Sequence, residues 1–218
     1  MASSRRQRAT RRAKRLGIAA AVGYLAGTVS TADFVVKRRG AADLRSSGTG
    51  NPGAANALKV LGPRAGLAVM AGDVSKGVIA CAAGAMIAGP AGAHLAGTAS
   101  VAGHCYPVWN GFRGGKGVAT SVGQCLATFP AYFPIDVAVA AGTAAVPAWK
   151  QRAFAATLTS SVCWVVGGVV WWTKGWRNPG GPKPSVLLPL SALASSAMIA
   201  ERFIAAGDPN ERDGEAAA

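Results

Sequence analysis

Two short polar stretches, at residues 46–56 and 104–120, hold the side chains best suited to chemistry. The first reads Ser-Ser-Gly-Thr-Gly-Asn-Pro-Gly-Ala-Ala-Asn, and the second begins His-Cys-Tyr-Pro and continues to Arg-Gly-Gly-Lys-Gly. Glycines let the backbone approach an anion, clustered backbone N–H groups form an anion-binding concavity, and a nearby cation supplies the countercharge. Both stretches therefore predict phosphate binding.

In the first stretch, amide and hydroxyl side chains alternate with glycines that leave room for a ligand. Asn51 and Asn56 can each donate and accept hydrogen bonds, which suits a hydroxyl group or a phosphate oxygen. Lys59 shares a face with Asn56 if a helix begins there. The candidate substrate-binding residues are Thr49, Gly50, Asn51, Gly53, Asn56 and Lys59. The alternative is a flexible loop of turn-forming residues, and this stretch by itself does not separate the two.

The second stretch is the more specific, because cations and glycines together open an apolar segment. Such a backbone at the start of a helix is typical of an anion site, although the spacing differs from that of the nucleotide-binding P-loop. A lone histidine is more often structural, but beside this loop His104 is placed to contact phosphate or to orient a hydroxyl. The candidates are His104, Arg113 and Lys116 as catalytic residues and Gly114, Gly115 and Gly117 as substrate-binding residues.

A third polar feature is the pair Asp73 and Lys76, which interrupts an apolar segment. An ionisable side chain at membrane depth is costly, and it usually faces a partner or a polar cavity. The i, i+3 spacing also allows the two side chains to pair with each other. We expect both to bind substrate, with simple mutual pairing as the alternative.

The composition places these stretches in a membrane protein. Half of the 218 residues are apolar, 15% are charged, and the net charge is +14. The cations cluster in residues 1–15 and between apolar segments, which fits loops facing anionic lipid headgroups better than a nucleic-acid surface. The four cysteines have no metal-binding or redox spacing, and no histidine–carboxylate cluster indicates a metal, so we expect neither metal nor cofactor.

The apolar segments predict an all-α, polytopic integral membrane protein. A membrane-spanning helix needs about 20 mostly apolar residues, and the chain offers six or seven such segments, rich in alanine and glycine. We expect a membrane domain over residues 16–206 with polar, glycine-rich active-site loops. A disordered basic tail over residues 1–15 and a disordered acidic tail over residues 207–218 would flank it. A soluble alanine-rich protein is the less favoured alternative.

Four blocks of the sequence resemble, in order and spacing, the PlsY family of bacterial membrane acyltransferases. They begin at Gly23, Gly48, Asp73 and Gly103, and together they span residues 23–123. The chain has Thr49 where the family usually has serine, alanine at position 55 instead of threonine, and lysine at position 59 instead of arginine. It also reads Ala-Glu-Arg-Phe-Ile at residues 200–204, where the family usually carries an Arg-His pair followed by asparagine.

The resemblance implies transfer of an acyl group from acyl-phosphate to the sn-1 hydroxyl of glycerol 3-phosphate. The products would be lysophosphatidic acid and phosphate, in the first step of phospholipid synthesis, without a covalent intermediate or coenzyme A. Arg113, Lys116 and the surrounding glycine amides would hold one phosphate, and the first stretch would hold glycerol 3-phosphate. Thr157 corresponds loosely to a third, serine-rich block and is a further substrate-binding candidate.

The resemblance also implies a monomer in the cell membrane, with the active site facing the cytoplasm and lipid as its surroundings. The seven cations of residues 1–15 would then lie outside, against the positive-inside tendency, and the sequence leaves this conflict open. One alternative function is a non-catalytic paralogue that binds phospholipid precursors or regulates an active relative. A small transporter is less favoured, because the chain shows no internal repeat.

Overall fold

The computed structural model describes residues 2–148 and 151–206, and its regular secondary structure over these residues is entirely helical. The helices are α1 (Ala2–Thr28), α2 (Thr31–Arg39), α3 (Ala54–Leu61), α4 (Pro63–Cys105), α5 (Val118–Thr128), α6 (Phe133–Ala145), α7 (Arg152–Lys174) and α8 (Leu187–Ala206). Within these residues, four helical segments are long and apolar enough to cross a membrane, and α6 is a shorter apolar helix. The expected all-helical class is confirmed, whereas six or seven crossings stays a prediction.

The longest helix, α4, consists of two arms that fold back on each other. At Ala88 and Gly89 the backbone leaves the helical conformation, with φ values of −136° and +66°. Pro90 then opens the second arm, where the N–H that it lacks is not needed. Gly84 and Gly92 lie so close that a Cβ on either would collide with the carbonyl oxygen of the other. Residues 63–87 and 90–105 therefore form an antiparallel pair.

The first helix packs along the second arm of α4 through glycines. Gly23 lies against the backbone of Ala96, and Gly27 lies against the backbone of Ser100, with no room for a Cβ at either glycine. Small residues four apart allow this close approach, which drives helix association in lipid. The later residue of α1 contacts the later residue of α4. The two helices therefore run parallel, and their C-terminal ends meet.

The basic N-terminal segment, for which the sequence predicts a disordered tail, is helical over residues 2–15. They form the first turns of α1, and the cations from Arg5 to Arg15 are exposed. Alanine and arginine favour helix, and the packed remainder of α1 supplies the helix nucleus. Arg15 donates to the carbonyl of Ile87 near the α4 fold-back, so these cations lie at the end opposite His104. The predicted acidic tail, residues 207–218, lies outside the described residues.

The last helix follows the second arm of α4 and reaches the loop between α4 and α5. The Ser191 Oγ lies 3.2 Å from the His94 Nδ1, and the Ser195 Oγ donates to the Oε1 of Gln124 on α5 at 2.7 Å. Further along α8, Arg202 donates to the loop at Gly114. Buried aromatic residues between α5, α6, α7 and α8 complete this side of the molecule. The C-terminal end of α8 is therefore held beside the second polar stretch.

We expect Gly27→Leu to destabilise the protein strongly, because its side chain would have to enter the α1–α4 contact. Overpacking costs about 1–3 kcal/mol, which corresponds to a melting temperature lower by about 5 °C in detergent. Gly17→Leu is the matched control, since a Cβ there meets nothing within 4 Å. Equal melting temperatures for the two variants would contradict this packing.

Candidate active site

The loop between α4 and α5 lies directly on the end of α4. The N–H of Gly114 donates to the carbonyl of Cys105 at 3.2 Å, and the N–H of Gly115 donates to the carbonyl of His104 at 3.1 Å. A Cβ at Gly115 would collide with the His104 Nε2, so only glycine allows this approach. The amides of these two glycines are therefore bound within the protein, and phosphate would have to be held by other groups of the loop.

Beside this loop is a cavity of about 260 Å³ that is rich in cations. Its wall includes Thr49, Gly50 and Asn51 from the first stretch and Gly114 from the second. Four cations from three separate parts of the chain also line it: Arg45, Arg113, Lys116 and Arg202. No carboxylate lines it among the described residues. Four cations around one cavity favour an anion that carries more than one negative charge.

Arg45 is held in place by two carboxylates that lie outside the cavity. Its Nη1 lies 2.6 Å from the Oδ1 of Asp33 and 3.2 Å from the Oδ1 of Asp43. Its Nε donates to the carbonyl of Arg113 at 3.2 Å, which connects the residue just before the first polar stretch to the second stretch. Burial opposes the charged form, but the hydrogen bonds and charges of the two aspartates outweigh it and raise the pKa of Arg45 above its ordinary value. Arg45 is thus a fixed cation.

Beneath the loop, Asp73 gathers three polar side chains. Its Oδ1 lies 3.0 Å from the Lys76 Nζ and 3.7 Å from the His104 Nδ1, and it accepts a hydrogen bond from the Thr31 hydroxyl at 3.2 Å. Asp73, Lys76 and His104 are all buried, with 2%, 8% and 8% of their surfaces exposed. The mutual pairing that the sequence left as an alternative is present. We name these four residues the Asp73 cluster.

Lys76 also binds the backbone at the break between α1 and α2. Its Nζ donates to the carbonyl of Val29 at 3.1 Å, one of the backbone groups that a helix leaves unsatisfied where it ends. The cavity at the Asp73 cluster holds only about 20 Å³, which is room for a single water molecule. The contacts of the Asp73 cluster therefore support the loop and the helix ends.

Asn56 organises the first stretch from inside. Its Nδ2 donates to the carbonyls of Leu44 and Ser47 at 3.0 and 2.8 Å, and its Oδ1 accepts from the N–H of Thr49 at 2.9 Å. With 1% of its surface exposed, Asn56 holds the loop that presents Asn51. Of the other predicted residues, Gly53 caps α3, Gly117 caps α5, and Lys59 is exposed on α3; none of them lines the cationic cavity.

An apolar groove of about 300 Å³ lies between α7 and α8. Thr157 lines it, but its hydroxyl donates to the carbonyl of Ala153 at 2.7 Å. Phe203 lines the same groove, and its ring centroid lies 4.0 Å from the Lys116 Nζ. The groove and the cationic cavity therefore meet at Phe203 and Lys116.

The family model described as glycerol-3-phosphate acyltransferase matches residues 17–204. This chain belongs to the glycerol-3-phosphate acyltransferase family. A member with that name from Thermoanaerobacter pseudethanolicus is 40% identical over 157 residues, which are 72% of this chain and 78% of the relative. Another, from Clostridioides difficile, is 46% identical over 119 residues, which are 52% of this chain and 58% of the relative.

Two solved structures of PlsY, an integral membrane glycerol 3-phosphate acyltransferase, have the same fold. The glycerol 3-phosphate form has a TM-score of 0.70 and 29% identity, over 87% of this chain and 88% of that one. The lysophosphatidic acid form has a TM-score of 0.69 and 27% identity, over 86% and 87%. The resemblance seen in the sequence and the expected membrane class are both confirmed, and this acyltransferase family member is an integral membrane protein.

Two of the four cations that line the cavity of this family member, Arg45 and Arg202, are not distinguished by any sequence pattern. Arg45 is one of six cations in residues 37–64, and no motif distinguishes it from the others. Arg202 lies near the end of the last apolar segment, and no glycine-rich motif stands beside it in the sequence. Both cations reach the cavity through tertiary contacts, which leave no signal in the local sequence.

We expect Asp73→Asn to destabilise the protein by about 3–5 kcal/mol, because it leaves Lys76 buried without its carboxylate. The paired variant Asp73→Leu/Lys76→Met removes both charges and should recover at least half of the lost melting temperature. Thermal unfolding of the purified proteins in detergent measures both. If Asp73→Asn melts like the unmodified protein, the Asp73 cluster does not support the fold.

Proposed function

We propose that this chain transfers an acyl group from acyl-phosphate to the sn-1 hydroxyl of glycerol 3-phosphate, giving lysophosphatidic acid and phosphate. The observation that carries the proposal is the meeting of a four-cation cavity and an apolar groove at Phe203 and Lys116. That arrangement suits a substrate with a phosphate head and an acyl tail. Membership of the glycerol-3-phosphate acyltransferase family supports the same reaction.

Charge explains why one cavity holds so many cations. A phosphate monoester carries about 1.5–2 negative charges at pH 7, so two phosphorylated substrates side by side would repel each other strongly. Arg45, Arg113, Lys116 and Arg202 offset that repulsion. Thr49 and Asn51 add hydrogen-bonding groups at the same cavity wall, and these suit the hydroxyls of glycerol 3-phosphate.

The reaction itself needs little further chemistry from the protein. The sn-1 oxygen attacks the carbonyl carbon of acyl-phosphate, the bond from that carbon to the phosphate oxygen breaks, and phosphate leaves with the electron pair. The hydroxyl proton leaves on the phosphate, so no covalent enzyme intermediate and no cofactor is required. Alignment of two bound substrates contributes up to about 7–11 kcal/mol, and fixed cations stabilise charge that develops on the leaving group.

His104 serves this reaction as a positioning residue. One ring nitrogen faces Asp73 and the other lies against Gly115, so its contacts are with the protein beneath the loop. Its role is to hold the glycine loop, and Arg113 and Lys116 on that loop, at the cavity. The hydroxyl of glycerol 3-phosphate is then oriented by the first stretch.

We expect Lys116→Ala to abolish transfer while the protein stays folded, because the cation lies where the cavity and the groove meet. The assay is phosphate release from palmitoyl-phosphate by the purified protein, with and without glycerol 3-phosphate, together with detection of lysophosphatidic acid. The matched control is Lys174→Ala, which changes an exposed lysine at the C-terminal end of α7. Near-normal activity of Lys116→Ala would refute the phosphate assignment. No release by folded unmodified protein would favour the non-catalytic paralogue.

We also propose that the protein functions as a monomer in the cell membrane, with the cationic cavity facing the cytoplasm, where phosphorylated substrates are supplied. The exposed cations of α1 then lie on the outer side. In a Cys163→Ala background, we expect a membrane-impermeant maleimide to label Gln7→Cys but not Ala42→Cys in intact cells. Both should react after the membranes are opened. The reverse pattern in intact cells would place the cavity outside.

A further inference from the structure

Arg202, on α8, binds the carbonyl groups of the glycine loop. Its Nη2 donates to the carbonyl of Gly114 at 2.9 Å, and its Nε donates to the carbonyl of Gly115 at 3.3 Å. The N–H groups of the same two glycines donate to the end of α4. The backbone polar groups of both residues are thus fixed between two helices that are far apart in sequence.

The end of α8 that carries Arg202 is itself anchored to the start of the loop. Glu201 accepts a hydrogen bond from the Tyr106 hydroxyl, and the guanidinium of Arg202 lies 5.6 Å from the centre of the Tyr106 ring. The carbonyl of Tyr106 in turn accepts from the Tyr24 hydroxyl at 2.7 Å. These contacts connect α1, the loop and α8, so the Arg202 side chain has little freedom to leave its position.

The guanidinium of Arg202 also faces the cationic cavity. It lines that cavity together with Arg113 and Lys116, while its two bonds to the glycine loop use only two of its five N–H donors. The next residue, Phe203, lines the apolar groove. Arg202 therefore lies where the cavity and the groove meet. A single substrate with its phosphate in the cavity would extend its acyl tail into the groove.

We propose that Arg202 both positions the glycine loop and binds the phosphate group of acyl-phosphate. Its Nε edge fixes the carbonyls of Gly114 and Gly115, and its remaining donors hold the phosphate whose acyl chain passes Phe203. Arg202 thus contributes the cation that α8 brings to the cavity. The inference rests on the proposed acyl transfer and adds to it a residue and the substrate that this residue recognises.

The test compares Arg202→Ala and Arg202→Lys with the unmodified protein, varying palmitoyl-phosphate and glycerol 3-phosphate separately. Arg202→Ala should raise the KM for palmitoyl-phosphate about 10- to 100-fold, the change expected when a hydrogen bond to a charged group is lost. The KM for glycerol 3-phosphate should change less than about threefold. Arg202→Lys should recover part of this KM but not kcat, since a point charge cannot span both carbonyls. The control is Arg177→Ala, an exposed arginine outside the site.

Chemical rescue separates this role from a general loss of stability. Guanidinium chloride at millimolar concentration should raise the activity of Arg202→Ala at least about fivefold, because the ion replaces the missing planar donor fork. Sodium chloride at the same concentration should not, and Lys116→Ala should respond to neither salt. If Arg202→Ala fails to fold, Arg202→Lys decides the question through its KM for palmitoyl-phosphate at an unchanged melting temperature.

Three results would overturn the proposal. They are unchanged kinetics of both Arg202 variants, an equal rise in KM for the two substrates, and a rise confined to glycerol 3-phosphate. Each requires an active unmodified protein, so each leaves acyl transfer itself intact. An inactive unmodified protein would instead refute the proposed function.

Discussion

The site depends on the direct contact between the glycine loop and the end of α4. The N–H groups of Gly114 and Gly115 donate to the last carbonyls of that helix, and the His104 ring occupies the space in which a Cβ of Gly115 would lie. This contact fixes the conformation of the loop. The cations on either side of the glycines, Arg113 and Lys116, therefore point into one cavity instead of varying with the conformation of a free loop.

Carboxylates stabilise the site from behind the cationic cavity. Asp33 and Asp43 hold Arg45, and Asp73 holds Lys76, whereas no carboxylate among the described residues lines the cavity itself. A carboxylate facing the cavity would neutralise a cation and repel phosphate. Behind the cavity, the aspartates fix cationic side chains in place and offset the cost of burying them. Because the carboxylates lie behind the cavity, several cations can line the same small cavity.

Helix packing through small residues connects the membrane domain to this chemistry. Gly23 and Gly27 bring α1 against the second arm of α4, and the fold-back at Gly89 returns that arm towards the first one. The end of α1 then lies beside the Asp73 cluster, where Lys76 takes up a carbonyl that the helix leaves unsatisfied. Close packing thus serves the site directly, because the polar partners come from α2 and from both arms of α4.

Much of this protein followed from its sequence. Apolar segments of spanning length indicated a helical membrane protein, and the four ordered blocks indicated the family. The spacing of glycines and cations selected Arg113, Lys116 and Asn51, which line the cavity. These features are local, since helix length, glycine content and neighbouring charges can be read within a few residues.

The partners of those residues were decided by the tertiary structure. The sequence could not distinguish Asn51, which faces the cavity, from Asn56, which is enclosed by backbone carbonyls. Nor could it select Arg45 or Arg202, which reach the cavity from distant segments, or reveal that the Gly114 and Gly115 amides are bound to α4. In each case the decisive quantity is a distance between groups far apart along the chain, and only the packing of the helices fixes that distance.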